Sequence, residues 1–232
     1  MHPHPFIYFA TLVLTLVAPL HAFEFRVVSW NGEITGLHFA TGRTSTEIVS
    51  DEGLFSRSYR WNEPGPLVLF REIQQEDKTV RVTAATLTPP PDATRLILVL
   101  APTDATRTTF TGLWIDDSAE ARPPQTITVR NLSSLTVALR FGATERTLAG
   151  NEAFTLPTDP GKRRVPFRMA ALTGQGWEVI ASSSQEVRPG RRTLILLRNG
   201  HPQPSAATEL IDMVTLNDRL PPPPPAPIVA GR

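Results

Sequence analysis

The chain has 232 residues, 23 Lys and Arg against 22 Asp and Glu for a formal net charge of +1, 23 prolines and no cysteine. So even a balance offers no global attraction to nucleic acid or to an anionic membrane surface. The missing cysteine excludes disulfides, a thiol nucleophile, thiolate metal sites and a lipid-bearing cysteine behind a leader. So many prolines argue for strands and loops over helices, and 41% aliphatic and aromatic residues are enough to build cores.

Residues 6–17, FIYFATLVLTLV, form a continuous apolar run closed by Ala18-Pro19, with Leu20-His21-Ala22 as a cleavage site. Residues 1–22 therefore read as a signal peptide. The run is too short to span a bilayer, which needs about twenty apolar residues, and no membrane span is expected once the leader is removed. The expectation is an exported protein of the periplasm or cell surface of a Gram-negative-type bacterium.

A first β-rich region covers residues 23–115, with strands expected at 25–30, 34–39, 55–61, 67–73, 79–87, 95–101 and 108–115. Val80, Val82 and Ala84 are expected to point inward and Arg81 and Thr83 outward, the period of a half-buried strand. The segment 96–101, LILVLA, is apolar on both faces and predicts a central strand covered from both sides. Asn31-Gly32, Thr41-Gly42, Glu63-Pro64-Gly65 and the prolines at 89–91 supply turn chemistry between them.

Residues 116–124, DDSAEARPP, read as a polar linker, and 125–199 as a second sandwich. In that second region Ile127 and Val129, Leu135 to Phe141, and Val165 to Ala171 place apolar residues at every second position. Turns fall at Asn131-Leu132-Ser133-Ser134, Gly150-Asn151, Asp159-Pro160-Gly161, Gly174-Gln175-Gly176 and Pro189-Gly190. The predicted fold class is all-β: two tandem antiparallel, immunoglobulin-like β-sandwich domains. Residues 200–232 read as a Pro-rich disordered tail, in which 206–216 is either a short helix or an extended peptide and Pro221 to Pro225 impose polyproline II.

No catalytic set is legible. Behind the leader only His38 and His201 remain, far apart in the chain, and no metal-ligand spacing, phosphate loop or nucleophile elbow is present. No cofactor or metal is expected. Asp116-Asp117-Ser118 offers carboxylates to a hard cation but lacks the longer ligand spacing of a calcium loop, so a solvated turn is the simpler reading. Glu178 and Glu186 would serve a hydrolase only by converging in a cleft. Two binding surfaces are candidates. Trp30, Trp61, Trp114 and Trp177 with Tyr59 could form a sugar-stacking platform, although core tryptophans are commoner in sandwiches; Tyr59 and Trp61 lie two apart, share one face of a strand and would stack on a sugar if that face is exposed. Arg163, Arg164, Arg191 and Arg192, on adjoining turns and the last strand, could gather an anionic polysaccharide, against the simpler reading of a solvated rim.

The frame PQTITVRNLSS, LRFGATERTLAGNEAFTLPT, PFRMAALTGQGWEVIASSS and VRPGRRTLILL resembles an uncharacterised family of exported tandem β-sandwich proteins from verrucomicrobial-type bacteria. The likeness rests on the acidic-Ser link at Asp116-Asp117-Ser118, Arg130-Asn131, Gly142, Leu148-Ala149-Gly150, Gly176-Trp177 and Pro189 to Leu194, and it implies the architecture without implying an activity. The reading is a non-enzymatic cell-envelope protein acting as a binding or accessory module through protein–protein contacts. The alternative is a module for carbohydrate or anionic polysaccharide. The partner is an envelope protein or polysaccharide, not nucleic acid.

Overall fold

A computed structural model describes residues 22–200 and 210–220. Residues 1–21, read from the sequence as part of a leader, His201 and the proline run from Pro221 lie outside the described residues. The described chain is entirely β, with sixteen strands in four four-stranded sheets. The first eight are β1 (Phe23–Ser29), β2 (Ile34–Thr41), β3 (Thr44–Ser50), β4 (Tyr59–Trp61), β5 (Leu67–Gln75), β6 (Lys78–Leu87), β7 (Arg95–Pro102) and β8 (Phe110–Asp116). The second eight are β9 (Thr126–Asn131), β10 (Val137–Phe141), β11 (Thr144–Leu148), β12 (Ala153–Pro157), β13 (Arg164–Thr173), β14 (Gly176–Glu186), β15 (Arg192–Asn199) and β16 (Ile211–Asp218).

The second half repeats the first. Sheet 1 has the order β4-β1-β7-β8 and sheet 2 the order β3-β2-β5-β6; adding eight to each number gives sheet 3, β12-β9-β15-β16, and sheet 4, β11-β10-β13-β14. Even the exception to antiparallel pairing recurs, because β1 runs parallel to β7 and β9 parallel to β15.

Period-2 alternation builds three cores rather than two. One fills the space between sheets 1 and 2, from Phe25, Leu37, Leu69, Leu96 and Leu98 among others. A second, with Ile127, Leu139, Phe167, Met169 and Ile195, lies between sheets 3 and 4. The third joins sheet 1 to sheet 3 through Val28, Ile97, Val99, Ile115, Leu194, Leu196 and Leu216. Strand β7 sends Leu96, Leu98 and Leu100 one way and Ile97 and Val99 the other, as expected of a strand covered on both faces. β15 does the same with Ile195 and Leu197 against Leu194 and Leu196. The layers therefore stack in the order 2, 1, 3, 4.

Local chemistry fixes the ends. Asn131, fully buried, donates its Nδ2 to the carbonyls of Leu135, Leu148 and Ala149 and accepts from the Ser133 amide and hydroxyl. One side chain thereby ties the loop after β9 to the end of β11, and Asn151, at φ 67°, completes the turn by donating its amide to the Asn131 carbonyl.

Two boundaries differ from the sequence expectation. Residues 44–50 form β3, which escapes notice because Thr44, Ser45, Thr46 and Glu47 show no apolar alternation. The segment read as tail, helix or extended peptide contains β16, which pairs with β15 over its whole length, from Arg192↔Asp218 to Asn199↔Ile211. The second sheet pair therefore closes at Asp218, not at Asn199. A chain ending at Asn199 should lose the cooperative thermal transition, because Leu194 and Leu196 lose their cover from Leu216. A chain ending at Leu220 should melt like the full chain.

Candidate functional site

The densest constellation of ionisable groups lies at the buried edge of the junction between sheets 1 and 3. Arg95 and Arg192 each open an inner strand, and Asp117 and Asp218 each stand at the end of the strand paired with it. Arg192 is wholly buried and reaches Asp117 Oδ1 at 2.8 Å and Asp218 Oδ2 at 3.0 Å; its Nη1 donates to the carbonyls of Asp117 and Arg122. Arg122 donates to Asp117 Oδ1 at 2.5 Å. Arg26 bridges Asp117 at 2.8 Å and Asp218 at 2.5 Å, while Arg95 stands 3.7 Å from Asp117 on the rim.

Three buried or nearly buried guanidinium groups thus share two carboxylates. Burial pushes the Arg122 guanidinium down to about 10, against the opposing pull of Asp117. For Asp218, burial alone would raise the carboxyl, but the Arg192 hydrogen bond and the charges of Arg122 and Arg26 outweigh it and hold it below the usual range. The cluster has the chemistry of a lock, since every acid is occupied by an internal cation.

This corrects two expectations. Asp117 does not stand in a solvated turn or face a metal ion: its cation is internal, and with Arg122 it makes the supposed linker part of the junction. Arg192 does not join a polysaccharide-binding rim, because it is spent on Asp117 and Asp218. Arg163 and Arg164 are exposed and Arg191 is half-buried; Arg164 is the register partner of Glu186 and Arg191 lies near the same carboxylate, so Arg192 is the one of the four withdrawn from the surface. Neighbouring Arg188 is paired with Glu186 at 2.9 Å.

Tyr59 and Trp61 do share a strand face, and it points into the first core, each side chain being only 5% exposed. Their rings meet Phe25 and Phe39, and the Tyr59 hydroxyl accepts the Val49 amide. They are core aromatics and present no platform to a sugar. Trp114 packs edge-on to Phe23 and Phe25 in the same core. His38 stacks on Phe70 as an ordinary sheet residue. Glu178 and Glu186 lie eight residues apart on β14, about 25 Å along an extended strand, and do not converge. Among the described residues no group of three or more His, Asp or Glu is placed to hold a metal, and no helix is long and apolar enough to cross a membrane.

The surfaces with unsatisfied apolar area lie elsewhere. Hairpin β5–β6 runs past the first core, so Ile73 and its register partner Val80, with Val82, keep the alternation of core-facing residues yet stay uncovered. Ile73 and Val82 are each 45% exposed. In hairpin β13–β14, closed by Gly176 at φ 112°, Leu172 stands opposite Trp177 and Ala170 opposite Val179 on the outer face of sheet 4. Val80 and Val82, expected to point inward, and Trp177, expected in a core, are instead exposed, because alternation cannot say where the core beneath a strand ends.

Compared with protein-family models and with curated proteins, the chain matches none. The likeness drawn from the sequence frame is therefore carried only by the residues quoted for it.

Asp117→Asn should cost about 3–5 kcal/mol in urea unfolding, because it leaves Arg122 and Arg192 buried beside a single carboxylate. The pH dependence has a fixed sign. A carboxyl held low in the fold gives stability that is fully present above the unfolded value, near pH 4, and lost as pH falls through the folded value. Urea midpoints measured at descending pH should drop below about pH 4, and Asp218→Asn should remove part of that drop.

Proposed function

We propose that this chain is a non-catalytic, exported cell-envelope protein, built as two tandem immunoglobulin-like sandwich domains and working as a binding or accessory module through protein–protein contacts. The observation that carries this reading is the ledge formed by Ile73, Val80 and Val82. Three β-branched side chains at core-facing positions of one hairpin are left in water by the chain's own fold, and covering them is what a partner surface would do. The same face of the hairpin also carries charge, with Arg71 as the register partner of Val82 and Lys78 two residues before Val80, giving the polar rim that such contacts have. The apolar leader at residues 6–17 supports export, and two four-stranded sheets about each core support the sandwich-domain reading.

In-cell crosslinking of the full chain tests the reading. A discrete protein adduct is expected, and the double variant Ile73→Glu, Val82→Glu should lose it while melting like the parent, since neither side chain is buried. An adduct that persists in that variant puts the contact elsewhere. A chain ending at Leu220 separates any contribution of the proline run without cutting β16.

A further inference from the structure

Sheet 4 carries on its outer face an arrangement that packing does not require. Arg140 on β10 and Arg168 on β13 are register partners, both exposed, and like charges directly opposite one another weaken a sheet. Arg140 has Glu145 of β11 at 3.4 Å; among the described residues Arg168 has no carboxylate within ion-pair distance. Beside this charged row the side chains shrink. Ala138 faces Ala170, with Thr147 on the other side of Ala138, and a trough of about 490 Å³ opens above them. On β14 the same face continues through Val179, opposite Ala170, to Trp177, opposite Leu172, which are 60% and 51% exposed.

The trough lies over the small residues beside the cationic row, and the aromatic and aliphatic side chains of β14 continue the same face beyond it. Its floor strands, β10 and β13, are the two inner strands of the sheet, so their amides and carbonyls are committed to neighbours on both sides. An extended peptide would find no main-chain ladder there. What the face does offer is guanidinium groups for carboxylates, hydroxyls at Thr147 and Ser182, and an indole face for an apolar ring surface. A pyranose carrying a carboxylate presents all three complements on one rigid ring.

We propose that the outer face of sheet 4 binds an acidic glycan, a polymer of carboxylate-bearing pyranose rings, with Arg140 and Arg168 taking carboxylates and Trp177 stacking on a ring. The site is separate from the ledge on β5–β6 and stands or falls independently of the protein-contact reading. It also accounts for the facing arginines, since an anion between them removes their repulsion.

Calorimetric titration of the full chain with oligogalacturonate, with a neutral xylan oligosaccharide and with poly-glutamate tests it. Oligogalacturonate should bind and weaken with added salt, and the neutral sugar should bind at least about tenfold more weakly. Trp177→Ala and Arg168→Glu should each reduce affinity about tenfold or more, whereas Ile73→Glu should leave it unchanged. Arg168→Glu should also melt at or above the parent temperature, because it sets opposite charges across the register. A lost affinity in that variant therefore reads as a lost contact, not a lost fold. Equal affinity for poly-glutamate would make the trough a dock for acidic peptides and overturn the proposal. So would oligogalacturonate binding that both variants retain, or no binding at all.

Discussion

Asp117 and Asp218 each accept from Arg26 and Arg192, and the architecture follows from how those groups are kept out of water. A buried guanidinium is tolerable only where carboxylates and carbonyls meet it with good geometry, and these two aspartates come from different halves of the chain. Asp117 follows the last strand of the first half; Asp218 ends the last strand of the second. Arg192 touches both, so the halves cannot separate without exposing or stranding a charge. The apolar contact of Ile97 and Val99 with Leu194 and Leu196 then supplies hydrophobic area beside the ionic lock.

The repeated topology explains why the lock has this form. When the same eight-strand pattern occurs twice and the two copies meet through equivalent sheets, equivalent residues approach one another, as across an isologous interface between subunits. Arg95 and Arg192 are such a pair, and Asp117 and Asp218 another. The symmetry is broken where the connecting segment contributes Arg122 and where Arg192 is buried while Arg95 stays on the rim. One half supplies a linker arginine that the other lacks, so the cluster carries a cationic surplus. Nε and Nη2 of Arg122 are left without hydrogen-bond partners among the described residues, and that cost goes with the low value of its guanidinium.

Much of the architecture was legible in the alternation of apolar residues, and the limits of that signal are physical. LILVLA at 96–101 announces a strand covered on both faces, and the structure bears that out; that TLILL at 193–197 is its counterpart and that the two sheets pack on each other emerges only from the fold. β3 and β16 were hidden because half-exposed strands with Thr, Ser and Asp at alternate positions look like loop or tail. Trp61 and Trp177 cannot be told apart by composition: one lies under a neighbouring sheet and the other on an outer face, a difference set by the stacking order of layers. Asp117 and Arg192 lie 75 residues apart, and nothing local marks them as partners. The exposed sites were the least legible part, because Ile73, Val82 and Trp177 obey the alternation of core residues and differ only in lacking a cover.

Rigidity at the junction also governs what the two outer sheets can do. Sheets packed face to face lie about 10 Å apart, so sheets 2 and 4, with two inner sheets between them, stand about 30 Å apart. The ledge of Ile73, Val80 and Val82 belongs to one and the trough beside Arg168 to the other. Ligands of ordinary size on these surfaces do not meet, so neither excludes the other by contact. Nor is there a hinge for one to act on through the other, because the segment that joins the halves is held by Asp117 and Arg122 inside the lock. An effect of one ligand on the other's affinity needs two global states with different affinities. A junction closed by an apolar core and shared carboxylates gives no second state to couple them, and the two proposed surfaces would then act as independent contacts on a fixed spacer.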